Sequence, residues 1–441
     1  MRMARASQFL PTLPWDLPLS AWPRLLAGRP AVWALTDQAA SSLGNALTTL
    51  ALARGLLQSE YGVFTLLYGL MWWIMNSYGA VVLYPLSVRG APADLLTLRR
   101  LASEALVLGG LILLVLGLVM LPAASANGRA DVGWWALAAI AVWQLQETLR
   151  RALQAHLRHR VAIVGDALSY LGQAVLLWGL VISGRLSLEV TFGVIALTSA
   201  LAAILQAWQL RLRRPTLAGV RETAISAWQL GRWLLLSFAL NGTAFLVLPW
   251  VLVLSAGPAQ VANVQAATYP IMLTNALLLG TGNLLLPATA RAQATDGLRR
   301  AVQVGLRIAL PSTAPLLVYL AVLALWPGVA LRLIYGPASP YVQLEPLLRI
   351  LLAGWLFNFV STLLLVILQA LRENRRGFIA TTTGALTVVL VGVPLTLGLQ
   401  ADGVAIAQLV ANGLRTAVVV WFLVRLYRAA AGSPAGALAR A

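Results

Sequence analysis

The chain has 441 residues, 60% hydrophobic and 10% charged, with no cysteine and a formal charge of +18. That balance excludes a soluble enzyme and places the chain among polytopic membrane proteins. The missing cysteines exclude disulfides, thiolate metal sites and a cysteine nucleophile.

Residues 1–30 are broken by Pro11, Pro14, Pro18, Pro23 and Pro30, so no uninterrupted signal-peptide core forms, and an uncleaved cytoplasmic extension is expected. A helix needs about 20 mostly apolar residues to cross the hydrocarbon layer. The first such span covers 33–53 and the second 61–83, joined by an external turn from Arg54 to Glu60. A link through Arg89, Asp94, Arg99 and Arg100 leads to the third span, 101–121. The fourth, 132–149, opens on Trp134 and Trp135 at the interface and runs on into a polar extension carrying Arg150, Arg151 and Gln154. The fifth and sixth spans cover 161–182 and 189–210, and residues 211–232 form the longest internal connection. Six more spans follow, at 233–255, 263–287, 304–326, 347–371, 377–399 and 403–424.

The expected fold is therefore all-α: a polytopic membrane protein with twelve transmembrane helices in two six-helix lobes around a central cavity. The N-lobe is 31–210, the inter-lobe linker 211–232, the C-lobe 233–424 and the cytoplasmic tail 425–441. Two halves that each begin on the same side are related by a pseudo-two-fold axis along the membrane normal.

Every basic residue is an arginine. With the N-terminus inside, only Arg54, Arg129, Arg185, Arg332 and Arg349 fall on the outer side, and nearly all the others fall on the inner. That asymmetry follows the positive-inside rule and places both termini in the cytoplasm. The charge then reports topology and contact with anionic lipid headgroups, and no nucleic-acid partner is expected.

Polar groups inside spans are costly and therefore informative. Asp37, Ser41, Asn45 and Thr48 recur three and four residues apart and form one stripe on the first span. Asp37 reads either as a carboxylate facing headgroup water or an arginine, or as a cavity group that binds a proton or sodium ion; Ser41 and Asn45 favour the cavity. In the second span Tyr68 and Trp72 read as packing or belt aromatics, while Asn76 points to a cavity. Arg232, Asn241 and Asn275 mark the seventh and eighth spans, either as cavity lining or as polar contacts between helices. Arg415 lies ten residues before Arg425, roughly 15 Å from the inner end of its helix. At that depth a lumen or a bound anion is one reading, and a buried contact with Asn412 and a carbonyl is the other. Glu147 and Arg151 have the spacing of an i,i+4 pair. With Asp166 they read as a solvated cytoplasmic corner held by ion pairs, or as a gate. There is no glycine-rich phosphate loop, HExxH motif or large external loop, so neither an enzyme nor a metal site is expected. His156 and His159 read as cytoplasmic surface.

Three stretches resemble the polysaccharide-export flippases of the multidrug/oligosaccharidyl-lipid/polysaccharide (MOP) transporter superfamily. They are DQAASSLGNALTTLALARGLLQSEYGVFTLLYGL at 37–70, LQETLRRALQAHLRHRVAIVGDALSYLGQ at 145–173, and LIYGPASPYVQLEPLLRIL at 333–351. The resemblance implies a two-lobed transporter of a bacterial inner membrane, working by alternating access. Its implied cargo is an undecaprenyl-pyrophosphate-linked oligosaccharide, moved from the inner to the outer leaflet. Asp37 is then the candidate coupling site for a proton or sodium gradient, with no cofactor, and Arg54, Arg232 and Arg415 are candidate contacts to the anionic head. Expected partners are the lipid-linked substrate, membrane lipids and polysaccharide-assembly proteins. Two other readings stand beside it. A proton- or sodium-coupled multidrug exporter of the same superfamily would favour an acidic cavity, whereas this chain has few intramembrane acids and several arginines. A non-transporting scaffold of a polysaccharide-synthesis complex would not need polar stripes in several spans.

Overall fold

Inside a bilayer the backbone has only itself to hydrogen-bond to, and long apolar runs consequently fold as helices. The computed structural model describes residues 30–156 and 158–431, and among them there is no strand. The N-terminal extension up to Arg29 and the end of the tail from Gly432 lie outside the described residues.

The first six crossings begin with α1, Pro30–Gly55. Next comes α2, Gln58–Tyr78, which passes through a π-helical turn, Gly79–Leu83, into α3, Tyr84–Gly90. Then α4, Leu95–Leu116, continues through a 3-10 turn into α5, Met120–Ser125. The fourth crossing is α6, Ala130–Ala155. The fifth is α7, His159–Asp166, joined by a second π turn, Ala167–Leu171, to α8, Gly172–Ile182. The sixth is α9, Leu188–Leu210. Asp94 caps α4 by accepting from the amides of Leu96 and Thr97, both at 3.3 Å, which satisfies donors that have no partner within the helix. Ser187 and Thr216 do the same for α9 and the helix that follows it.

The second half starts with α10, Leu217–Ala256, and α11, Pro258–Met272. Helix α12, Asn275–Leu325, turns at Gly297, whose φ is +81°. A short α13, Pro327–Tyr335, precedes α14, Glu345–Ala370. Helix α15, Asn374–Thr387, passes through a third π turn, Val388–Gly392, into α16, Val393–Ala431, which turns at Gln400.

Two elements differ from the sequence expectation. The inter-lobe linker is mostly helix: from Leu217 it is continuous with the seventh span, because after the Thr216 cap the sequence holds no proline until Pro249. The eighth span is broken after Met272, two residues past Pro270, and resumes at Asn275. The interruption is slight, since Leu273 and Thr274 both keep right-handed helical backbone angles.

Seven runs among the described residues are long and apolar enough to cross a membrane. Helices α1 and α6 have the length, at 26 residues each, but not the hydropathy. Among the polar residues that depress it, Asp37, Ser41 and Thr48 of α1 and Gln144, Gln146, Glu147 and Thr148 of α6 are buried in the first half. There α6 packs along α9, and α1 lies against α7, the second π turn and α8. Gly44 makes that last approach possible, since a Cβ there would stand 2.6 Å from the backbone of Tyr170. In the second half α14 packs against α16 and α12. The halves meet along α2, which contacts both α10 and α11. Leu66 joins Leu248, Leu252, Val261, Val404 and Ala407 in an apolar cluster across that junction.

Candidate functional site

The end of the bundle away from the chain termini is sealed. Gly62 sits so close to α11 that a Cβ would come within 1.8 Å of the Pro258 carbonyl oxygen. Tyr61 packs edge-on to Tyr341, and Tyr341 edge-on to Tyr335. Gln58 donates to Asn263 Oδ1 at 2.5 Å, and Tyr269 donates to the Ala46 carbonyl at 2.7 Å. Arg54 completes the seal. Its Nε and Nη2 donate to the carbonyls of Ile334 (2.6 Å) and Leu333 (3.1 Å), and its guanidinium lies over the Trp178 ring. Those carbonyls end α13, where unpaired C=O groups and the helix dipole favour a cation. Next to this seal, Arg129 gathers Glu60, Asp131 and Glu189.

On the arginine-rich side of the seal lies a cavity of about 690 Å³. Ser41 and Asn45 of α1, Asn76 of α2, Glu147 and Arg151 of α6, and Tyr170 of the second π turn all face it, together with the aromatic rings of Tyr68, Trp72, Tyr84 and Trp143. Leu234 and Phe238 of α10 close it from the second half. Of the stripe read from the first span, Ser41 and Asn45 border this cavity, while Asp37 and Thr48 are buried beside it, Thr48 accepting from Gln173 at 3.1 Å.

Behind one wall of the cavity is a buried ionic network centred on Arg150. Its Nε donates to Asp166 Oδ2 at 2.6 Å, its Nη1 to Glu147 Oε1 at 3.1 Å and its Nη2 to Asp37 Oδ2 at 3.3 Å. The three carboxylates come from α1, α6 and α7, so a single guanidinium ties three helices. Tyr170 donates to Glu147 (2.8 Å), Gln154 to Asp37 (3.0 Å), and Gln146 and Gln206 both donate to Asp166 Oδ1 (3.3 and 3.1 Å). Asp166 is fully buried and Asp37 nearly so. Asp37 Oδ1, Gln146 Oε1 and Gln206 Oε1 are buried acceptors without a hydrogen-bond donor among the described residues.

This arrangement corrects two expectations. Glu147 pairs with Arg150, three residues on, and not with Arg151, because Asp37 and Asp166 draw Arg150 inward and Glu147 completes its shell. The corner is buried, not solvated. Three of the few acids within the spans converge on one arginine. Arg151 faces the cavity, makes no ion pair among the described residues, and has a buried Nε without an acceptor.

The remaining candidates lie elsewhere. Arg54 is part of the far seal. Arg232 is exposed beside the Trp233 ring and does not border the cavity. Asn275 is half-buried and donates to the Met272 sulfur, while the side chain of Asn241 lies outside the described residues. Arg415 sits within the second half, where its Nε and Nη2 reach Ser361 Oγ (3.0 and 2.6 Å) and its Nη2 reaches Asn358 Oδ1 (2.8 Å). This is a half-buried polar contact, the second of the two readings of its depth, but with α14 and not with Asn412. Gln146, Gln206, Trp143, Asn358 and Ser361 escaped the sequence reading. A glutamine near the end of an otherwise apolar span was the one usable signal for Gln206.

No protein-family model and no curated protein sequence matches the chain. Solved structures do. An inward-facing multidrug-resistance MATE transporter of the MOP superfamily superposes with a TM-score of 0.71 at 17% identity, covering 89% of this chain and 96% of its own. The lipid II flippase MurJ in an inward closed conformation gives 0.70 at 12% identity, covering 90% of each chain. A MOP transporter from Pyrococcus furiosus, described as having a binding pocket of reverse polarity, gives 0.60 at 17% identity, covering 91% of this chain and 98% of its own. At these identities the likeness is one of fold: the chain has the architecture shared by the MATE and MurJ transporters.

Proposed function

We propose that the protein is a bacterial inner-membrane flippase for a polyprenyl-pyrophosphate-linked oligosaccharide, working by alternating access between the sealed end and the cavity end. The observation that carries this reading is Arg151, which lines a polar cavity and makes no ion pair among the described residues, the neighbouring Glu147 being taken by Arg150. Such a group suits a pyrophosphate, for which arginine supplies forked donors. Asn45, Asn76 and Ser41 can hydrogen-bond sugar hydroxyls, and Trp72, Tyr84 and Trp143 offer flat apolar faces. The MurJ neighbour, which is described as a lipid II flippase, shares the fold.

Coupling is assigned to the network around Arg150. Three carboxylates on one guanidinium leave an excess of negative charge in a buried place, and a proton or a monovalent cation offsets it at low cost. The orphaned Asp37 Oδ1 is where that ion would be held. The same excess of acid favours a second reading, a proton- or sodium-coupled exporter of organic cations.

Depletion of the protein in its host separates the two. Lipid-linked oligosaccharide should accumulate on the cytoplasmic face, and Asp37→Asn should abolish dependence on the ion gradient. Unchanged oligosaccharide levels together with a new sensitivity to cationic drugs would replace the first reading by the second.

A further inference from the structure

A head-and-tail substrate needs an apolar compartment beside the polar one. We propose that the apolar groove walled by α2, α4 and α10 holds the polyprenyl tail of the substrate, and that head and tail reach their places through the seam between α2 and α10. The inference rests on the flippase reading above.

The groove has a volume of about 670 Å³ and is lined by Trp73, Val81, Leu108, Leu111, Ala227 and Trp228, among other apolar residues. Leu111 and Trp228 are more than half exposed, so the groove is open at the side that faces the lipid. Its position is what sets it apart from ordinary lipid-facing surface. Alternate residues of the same two helices border the two compartments: Trp72 and Asn76 face the polar cavity while Trp73 and Ser77 face the groove, and Leu234 faces the cavity while Leu235 faces the groove. The wall between them is therefore one pair of helices thick.

That wall is built to part. Helix α2 belongs to one half and α10 to the other, so rocking of the halves acts directly on their contact. At its tightest the contact rests on two glycines: a Cβ on Gly231 would stand 2.3 Å from the Ala80 carbonyl oxygen, and one on Gly242 2.7 Å from the Trp73 ring. Ala80 itself lies in the π turn Gly79–Leu83. Single π turns inside long helices recur at functional sites because they interrupt the regular hydrogen-bond ladder. When the seam opens there, the groove and the cavity become one compartment, polar on the Arg151 side and apolar on the Leu111 side.

The occupant follows from that continuity. A bilayer phospholipid could fill the groove alone, but only a molecule with a long apolar tail and a large anionic, hydroxylated head uses both compartments together.

The test uses the full-length protein in lipid nanodiscs, with a polyprenyl-pyrophosphate-linked oligosaccharide carrying a photoreactive group on its tail. A tail-less pyrophosphoryl oligosaccharide and a phospholipid with a photoreactive acyl chain are the comparison probes. Filling the groove from two different walls, by Ala227→Trp and separately by Leu111→Trp, should reduce labelling by the tail probe about tenfold, the scale expected when one large apolar contact is lost. Binding of the tail-less head should be unchanged, and this also shows that the variants are folded. Retained tail labelling in both variants, or equal loss of labelling by the phospholipid, overturns the inference and leaves the flippase reading intact. Failure of the unmodified protein to bind either the lipid-linked oligosaccharide or its tail-less head overturns both.

Discussion

Arg150 donates to Asp166 at 2.6 Å from the centre of the first half, where Asp166 is wholly shielded from solvent. Because Asp37 and Glu147 lean on the same guanidinium, removing it would leave three carboxylates buried together without a cation. Breaking one partner of a buried pair costs about 3–5 kcal/mol, most of it from the charge left behind. Arg150→Met should therefore lower the unfolding temperature of the detergent-solubilised protein markedly. Adding Asp166→Asn to that variant should recover part of the loss, because the surplus negative charge falls.

Arg151 should behave oppositely, although it is the next residue. It has no ion pair among the described residues to lose, so Arg151→Ala should leave thermal stability nearly unchanged. Its loss should appear in binding. A hydrogen bond to a charged group contributes about 1.5–3 kcal/mol, or roughly a 10- to 100-fold weaker Kd for the tail-less pyrophosphoryl head. A titration of that head against the purified variant reads the change directly. Undiminished affinity removes Arg151 from the site.

Much of this was legible in the residues, and the limit is physical. Polar stripes on α1 and the depth of Arg415 are properties of single helices, and periodicity reports them. Which arginine Glu147 takes is a property of three helices: Arg150 and Arg151 both lie within reach on α6, and Asp37 and Asp166, on other helices, decide between them. The far-end role of Arg54 was hidden in the same way, since its acceptors are backbone carbonyls of Leu333 and Ile334, nearly 280 residues on. The π turns leave no pattern in the sequence, because they change the ladder and not the residue types.

Arg54 predicts a shift in conformational balance. Its two hydrogen bonds join α1 to the end of α13, and they must break if the sealed end is to open. The side chain is exposed, so their net contribution is closer to about 1 kcal/mol than to the value for a buried pair. Arg54→Ala should raise the open-end population about fivefold. The chain has no cysteine, so a single cysteine placed at Asn263 would report that opening through its labelling rate. An unaltered rate in the Arg54→Ala background would show that the tyrosine and Gly62 contacts hold the seal alone.

Acid titration should leave the start of α4 untouched over the physiological range. Hydrogen bonds from the Thr97 hydroxyl and from backbone amides hold the Asp94 carboxyl below the ordinary carboxylate value. A group whose pKa is depressed by folding contributes stability above its unfolded pKa and loses it as pH falls through the folded value. The difference in unfolding temperature between the protein and Asp94→Ala should thus be the same at pH 7 and pH 5, and should shrink only in stronger acid. A difference that already narrows between pH 7 and pH 5 would mean that another group supplies the cap.

Arg415 offers the sharpest separation of structure from function. Its partners Ser361 and Asn358 are neutral, and it makes no ion pair among the described residues. Half-burying an arginine in this way costs desolvation that hydrogen bonds to neutral groups only partly offset. Substitution by an apolar side chain of similar length should then be close to neutral for stability, unlike the same change at Arg150. If the charge is kept for an anionic cargo or for the motion of α16 against α14, Arg415→Met should unfold within a few degrees of the parent protein, yet transport should fall at least tenfold in reconstituted vesicles. Arg415→Lys should recover little, since an ammonium cannot reproduce the fork that reaches both Ser361 and Asn358. A large drop in unfolding temperature for Arg415→Met, matching that of Arg150→Met, would instead make Arg415 a purely structural link between α14 and α16.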